Sequence, residues 1–222
     1  MKADFWHTRW QDNRIGFHQS RTNTRLEQFW PSLQIDTALP VFVPLCGKSL
    51  DMLMLHERGH PVIGVELSRL AVEAFFAENQ LPYDVHQSGN LQEFTGTGVA
   101  AGLRLFAGDM FALETAQIGA IGGFYDRASL IAMPPEMRAQ YVDKLATLLP
   151  TGAIGLLISL EYDPTKMKGP PFSVPDADVQ SLFAGNFVIE PIDHSDGPER
   201  LGSLKERGLD TMKEHVYRLQ RT

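Results

Sequence analysis

The residues most able to do chemistry fall at the ends of two apolar runs. Pro44-Leu45-Cys46-Gly47-Lys48-Ser49 follows Val41-Phe42-Val43, and its Gly-Lys-Ser has the composition of the tail of a phosphate-binding loop. A G-x-x-x-x-G-K-[ST] loop needs a first glycine, so that successive backbone N–H groups can curl around a polyphosphate. Phe42 occupies that position, which argues against a nucleoside triphosphate as ligand. A dinucleotide fingerprint would need G-x-G-x-x-G, and this turn holds Gly47 alone. Glu66 ends the next apolar run, where an acidic side chain can accept hydrogen bonds from both hydroxyls of an adenosine ribose.

A one-glycine turn beside such a carboxylate suits a nucleoside whose other end is small, such as the aminoacyl tail of S-adenosylmethionine. A pyrophosphate would need closer backbone approach. The plainer readings are that Gly47 simply turns the chain and that Glu66 is a solvated strand end. His56-Glu57-Arg58-Gly59-His60 matches the zinc motif H-E-x-x-H letter for letter. That motif requires both imidazoles on one helical face, whereas Gly59 is a helix terminator and Pro61 pushes His60 out of the helical region, so no metal is expected. Cys46 has no histidine near it in sequence and reads as a small buried side chain.

The elements that must position these groups alternate. Val41–Leu45 reads as a strand, residues 49–58 as a helix, Pro61–Leu67 as a strand and Ser68–Gln80 as a helix with serine in the N-cap position. Strand candidates follow at Leu103–Asp109 and Ala120–Asp126, then a helix opening on Pro134-Pro135 and the very apolar strand Gly152–Tyr162. Strands without polar alternation, interleaved with helices, belong in a parallel sheet covered on both faces. The fold class is therefore α/β, doubly wound. Phe187–Asp193 and Lys213–Arg221 alternate apolar and polar residues, as a closing antiparallel pair would. Two short helical patterns near residues 4–13 and 23–30 form an N-terminal arm, residues 1–35, ahead of a core spanning 36–222. The expectation is one domain over residues 1–222.

With 43% hydrophobic and 21% charged residues, the chain belongs with ordinary globular proteins rather than with disordered or membrane ones. No apolar run approaches a membrane span, and the N-terminus lacks an apolar signal core. The single cysteine fits a reducing compartment, so a cytoplasmic location is expected. A formal net charge of −7 without a basic cluster disfavours nucleic acid and favours a small-molecule partner. A monomer is expected.

Five segments together carry a family resemblance: Trp6…Trp10…Gly16-Phe17-His18, Pro44-Leu45-Cys46-Gly47-Lys48, Gly64-Val65-Glu66-Leu67-Ser68, Tyr125-Asp126-Arg127-Ala128, and Tyr162-Asp163-Pro164-Thr165-Lys166…Gly169-Pro170-Pro171-Phe172. In that order, over nearly the whole chain, they resemble thiopurine S-methyltransferase, bacterial branch. The resemblance implies a seven-stranded, mostly parallel class I methyltransferase fold, with S-adenosylmethionine as donor and a small aromatic thiol as acceptor. It also implies a link to methylation of selenium and tellurium species.

By the same resemblance, Trp6 and Trp10 close over the cofactor, Leu45 and Gly47 meet its aminoacyl part, and Glu66 takes the ribose. Asp109 and Met110 flank adenine. Arg127 contacts both cofactor and acceptor and carries the catalytic role, and Phe17 lines the acceptor pocket. A sulfonium tolerates an aromatic lining but not a neighbouring cation, so Lys48 is expected to point away. His18 and Asp126 are the candidate proton acceptors. The segment Asp163–Phe172 is either a proline-stiffened lid or a plain surface loop. Without the resemblance, Trp6 and Trp10 read as core, Arg127 as the ion-pair partner of Asp126, and Phe17 as a staple holding the arm. Three functions follow: a small-molecule S-methyltransferase, a methyltransferase acting mainly on selenium or tellurium species, and a non-catalytic nucleoside-binding module.

Overall fold

The computed structural model describes residues 3–197 and 201–222. The chain forms two compact units, residues 1–124 and 125–222.

In the first unit, β1 (Val41–Val43) and β2 (Val62–Glu66) run parallel and are buried along their whole length. A third strand of the unit, Leu103–Ala107, lies parallel on the far side of β2. Opposite it, the first residues of Gly123–Asp126 pair in parallel with β1, Gly123 facing Val41 and Phe124 facing Phe42. Burial on both faces explains the unbroken apolar runs. The sheet is tightly packed at Gly64, where a Cβ would stand 2.6 Å from Leu105 Cδ2 and 2.7 Å from Cys46 Sγ. Burial pushes the Cys46 thiol well above its usual pKa and nearby Glu66 adds to this, so Cys46 is a neutral packing group.

Between β2 and the Leu103–Ala107 strand in sequence comes a hairpin that the sequence reading did not anticipate, and it lies beyond that strand on the side away from β2. β3 (Tyr83–Ser88) and β4 (Leu91–Gly96) pair antiparallel, and β4 pairs antiparallel with the Leu103–Ala107 strand, here β5. The strand order in this unit is β3-β4-β5-β2-β1. The reason for the miss is physical: the four central residues of β3 are exposed, so it shows no apolar run. The described residues thus form nine strands rather than seven, the seven expected ones plus this hairpin.

The helices of the first unit are α1 (Ala3–Gln11), α2 (Thr24–Phe29), α3 (Asp51–Glu57), α4 (Arg69–Glu78) and the single turn α5 (Thr115–Ile118). The Asn23 side chain caps α2 by accepting from the Arg25 and Leu26 N–H groups, while its own N–H donates to Asp51 Oδ1 at 2.8 Å. The second helix of the arm is thereby tied to the start of α3. α4 buries Ala71, Val72, Phe75 and Phe76 on one face. Ser68 occupies its N-cap position as the sequence suggests, without a side-chain cap bond. α3 ends before Gly59, and the buried His60 accepts the Trp30 indole N–H on Nε2 at 3.1 Å. That bond takes a nitrogen the zinc reading would need, and no group of three metal-binding side chains exists among the described residues.

The second unit holds the rest of β6 (Gly123–Asp126), then α6 (Pro135–Leu148), β7 (Ile154–Glu161), α7 (Asp176–Phe183), β8 (Phe187–Asp196) and β9 (Lys213–Arg221). The strand order is β6-β7-β9-β8, and β9 is antiparallel to both β7 and β8, as the alternation predicts. The Asp163–Phe172 segment is fastened on both sides. Tyr162 donates to Pro171 O at 2.5 Å, Arg207 donates to Pro170 O at 2.8 Å, and Lys166 pairs with Asp210. Among the described residues, no helix is long and apolar enough to cross a membrane.

Candidate active site

In the first unit the candidate residues converge on the carboxyl ends of β1 and β2. After β1 the chain turns through Pro44–Gly47 with two residues in the left-handed region, Leu45 at φ 43° and Gly47 at φ 54°. Glycine adopts this conformation freely, whereas leucine pays for it in strain of about 1 kcal/mol or more. A half-buried leucine held there marks a position fixed for something other than stability. Leu45→Gly is therefore expected to be about 1 kcal/mol more stable than Leu45→Ala, while both weaken cofactor binding alike; urea unfolding and calorimetry of the pair check this. An alanine variant as stable as the glycine one would contradict it.

The turn presents the Gly47 N–H to Glu66. The Glu66 carboxylate is buried and accepts from Gly47 N at 3.0 Å on Oε2 and from Ser68 N at 2.9 Å on Oε1. Burial raises the Glu66 pKa, and the N–H groups of Ser68, Gly47 and Leu67, with the Trp10 side chain, pull it back. The Gly47 and Ser68 N–H groups take one oxygen each, and the Leu67 N–H and the Trp10 side chain share what remains of the carboxylate's roughly four acceptor directions. A ribose hydroxyl arriving here would take over the direction that the Trp10 side chain fills, which ties sugar binding to the position of the arm.

The arm closes over the turn. A Cβ at Gly47 would lie 3.3 Å from the Trp10 ring, so glycine is needed here for space as well as for φ. Trp10 and Trp6 each meet Phe17 edge-to-face, with centroids 5.5 and 5.6 Å apart. Phe17 is thus part of the arm's own aromatic cluster, and it stands beside the half-buried His18. Lys48 points away as expected: its Nζ reaches both Glu78 carboxylate oxygens at 2.6 and 2.8 Å.

Next to Glu66 opens a cleft of about 200 Å³, walled by Leu67, Ser68, Ala107 and Gly108 and edged by His7 and Gln92. It holds less than the roughly 300 Å³ at the small end of ordinary ligand pockets, room for one part of a cofactor. Asp109 and Met110 follow directly in sequence. The Asp109 carboxylate accepts the Phe111 N–H at 2.9 Å and caps a short 3-10 turn, while Met110 is buried. His7 and Gln92 were not legible as site residues, because a histidine on a short helix and a glutamine on a polar strand carry no motif.

In the second unit, Arg127 follows β6 and is half-buried. Asp126 beside it is buried and fully engaged: Oδ1 accepts from the Ser129 and Leu130 N–H groups at 3.0 and 3.3 Å, and Oδ2 accepts the Tyr141 hydroxyl at 2.7 Å. Burial raises its pKa while these donors lower it. Asp126 is therefore a brace for the loop carrying Arg127 rather than an available proton acceptor. Tyr141→Phe is expected to cost about 2 kcal/mol in urea unfolding, because Oδ2 loses its buried donor. A change below about 0.5 kcal/mol would contradict the brace.

A turn that feeds a buried carboxylate, a nucleoside-sized cleft beside it and an aromatic arm fit S-adenosylmethionine, and similarity to known proteins agrees. The sequence model of the thiopurine S-methyltransferase family matches residues 1–222. The thiopurine S-methyltransferase of Bordetella pertussis is 45% identical over 221 residues, covering 100% of this chain and 99% of that one. The Pseudomonas entomophila protein of the same name is 44% identical and covers 100% of both. Among solved structures, a 1,6-didemethyltoxoflavin N1-methyltransferase of Burkholderia thailandensis with bound S-adenosylhomocysteine superposes with a TM-score of 0.60 at 17% identity, covering 99% of this chain and 86% of that one. An S-adenosylmethionine-dependent methyltransferase of Anabaena variabilis gives 0.63 at 18%, covering 99% and 95%. These likenesses establish the doubly wound class I methyltransferase fold, and S-adenosylmethionine is the cofactor. On full-length family match and full-length relatives alike, the chain belongs to the thiopurine S-methyltransferase family, the S-adenosylmethionine-dependent enzymes.

Proposed function

We propose that this methyltransferase acts on the sulfur of small aromatic or heterocyclic thiols, working as a single domain whose arm, residues 1–35, covers the site. The observation that supports the cofactor's placement is the buried Glu66 carboxylate, held by the Gly47 and Ser68 N–H groups at the tips of β1 and β2, and the acceptor class rests on the full-length thiopurine S-methyltransferase family match. Bound S-adenosylmethionine supplies a methyl carbon already activated by sulfonium charge, so that an attacking sulfur displaces S-adenosylhomocysteine in line.

The chain's own task is then orientation and exclusion of water. Glu66 fixes the sugar, and the Leu45–Gly47 turn receives the aminoacyl tail. Trp6 and Trp10 supply aromatic cover compatible with a cation. The ion pair of Lys48 with Glu78 keeps a competing ammonium away from the sulfonium. An aromatic thiol is acidic enough to ionise near neutral pH, so no strong general base is needed, in keeping with the full engagement of Asp126. Arg127 stabilises the thiolate, directly or through water.

The test is incubation with methyl-labelled S-adenosylmethionine and a panel of aromatic thiols, selenols and tellurite. Label on the aromatic thiols at the highest kcat/KM supports the proposal. Faster labelling of selenium or tellurium acceptors would make those the main substrates, and transfer to none of the panel would overturn the acceptor assignment.

A further inference from the structure

Three polar side chains reach the cleft beside Glu66 without any role in holding the fold. His7 and Gln11 lie four residues apart on one face of α1, and Gln92 projects from β4. None of the three side chains hydrogen-bonds another described residue. The neighbouring amides behave differently: Gln87 donates to Gly89 O and Leu91 O within its hairpin, and Gln117 donates to Ser88 O. Gln92 is half-buried, and its backbone is fixed opposite Ala107, itself a wall of the cleft. Leu67, Leu70, Ala107 and Gly108 add apolar or bare-backbone walls, and the rest of the lining is Ser68 and Arg69, whose guanidinium is paired with Glu73 at 2.7 Å.

Apolar faces with amide groups at the rim are what a flat purine requires. Its faces gain from burial, and its edge presents a donor beside an acceptor. A glutamine amide is complementary to adenine in this way, accepting from the exocyclic amine while donating to N7. Asp109 caps the Phe111 turn through Oδ1, and as a carboxylate it can accept from the amine but cannot also donate to N7, which the Gln92 amide can.

We propose that Gln92, on the hairpin added to the seven-stranded sheet, reads the cofactor's adenine edge, with Gln11 of α1 closing the rim, so that this pair sets the enzyme's preference for an adenine nucleoside. This rests on the cofactor placement given above and adds the residues that choose the base. The contact forms only when α1 lies over β4, so base recognition and arm closure act together.

The experiment measures calorimetric dissociation constants for S-adenosylhomocysteine and its deaminated analogue S-inosylhomocysteine, in which the amine is replaced by a carbonyl. Wild type is expected to prefer the adenosyl compound by about tenfold or more, the scale of one bidentate amide pair. Gln92→Leu is expected to bring the two constants within about threefold, Gln11→Leu to give an intermediate ratio, and Gln87→Leu, in the same hairpin but off the cleft, to keep the wild-type ratio. An unchanged ratio in both Gln92→Leu and Gln11→Leu, with wild type still binding S-adenosylhomocysteine, would overturn the inference alone. Failure of wild type to bind S-adenosylhomocysteine would overturn the cofactor placement and this inference with it.

Discussion

Glu66→Ala is expected to weaken S-adenosylhomocysteine binding by about 150-fold, because two hydrogen bonds to a charged acceptor, worth about 1.5–3 kcal/mol each, are lost together. The loss of stability is expected to depend on pH. Burial raises the Glu66 pKa in the folded state, so its contribution to stability is fully present below the unfolded value of about 4.3 and is lost as pH rises through the folded value. The gap between wild type and variant, measured by urea unfolding, should therefore be wider at pH 4.5 than at pH 8. The alanine variant also leaves the Gly47 and Ser68 N–H groups without their acceptor, which keeps the gap positive throughout. A gap that widened toward pH 8 would contradict this account of the carboxylate, and an unchanged affinity would remove Glu66 from the site.

The second large effect is expected at Arg127. If its guanidinium stabilises the acceptor anion as the methyl transfers, Arg127→Ala should lower kcat by about 100-fold or more, the range for removing one preorganised donor to a developing charge. The S-adenosylhomocysteine dissociation constant should move by less than about threefold. Arg127→Lys should recover only part of the rate, since an ammonium cannot reproduce the planar fork. Equal losses in turnover and in cofactor affinity would instead make Arg127 a binding residue.

Much of this was readable from residue order. The unbroken apolar runs of β1 and β2 announced a parallel sheet, because only strands covered on both faces can dispense with polar alternation. Glu66 stood out as a candidate because the carboxyl ends of such strands are where ligands sit, although a solvated strand end has the same sequence pattern. Within the H-E-x-x-H match, α3 ends before Gly59 and His60 turns inward to Trp30, the local geometry that Gly59 and Pro61 suggest.

What stayed hidden depends on contacts distant in sequence or on side chains with ambiguous chemistry. The β3–β4 hairpin escaped notice because β3 is stabilised by pairing rather than by an apolar face. The bond from Ser68 N–H to Glu66 was masked by a serine that looks like a helix cap. Asp126 looked like a proton acceptor until Tyr141, from the middle of α6, was found bonded to it. His7, Gln11 and Gln92 become meaningful only when α1 and β4 are seen at the same cleft.

The central claim is that the tips of β1 and β2 hold S-adenosylmethionine by its sugar at Glu66. Equilibrium dialysis of the purified protein against labelled S-adenosylmethionine, with and without excess S-adenosylhomocysteine, tests it most directly. The account predicts saturable retention of one equivalent, competed by S-adenosylhomocysteine and nearly abolished in Glu66→Ala. Retention by the variant equal to that of wild type, or none by wild type, would contradict it.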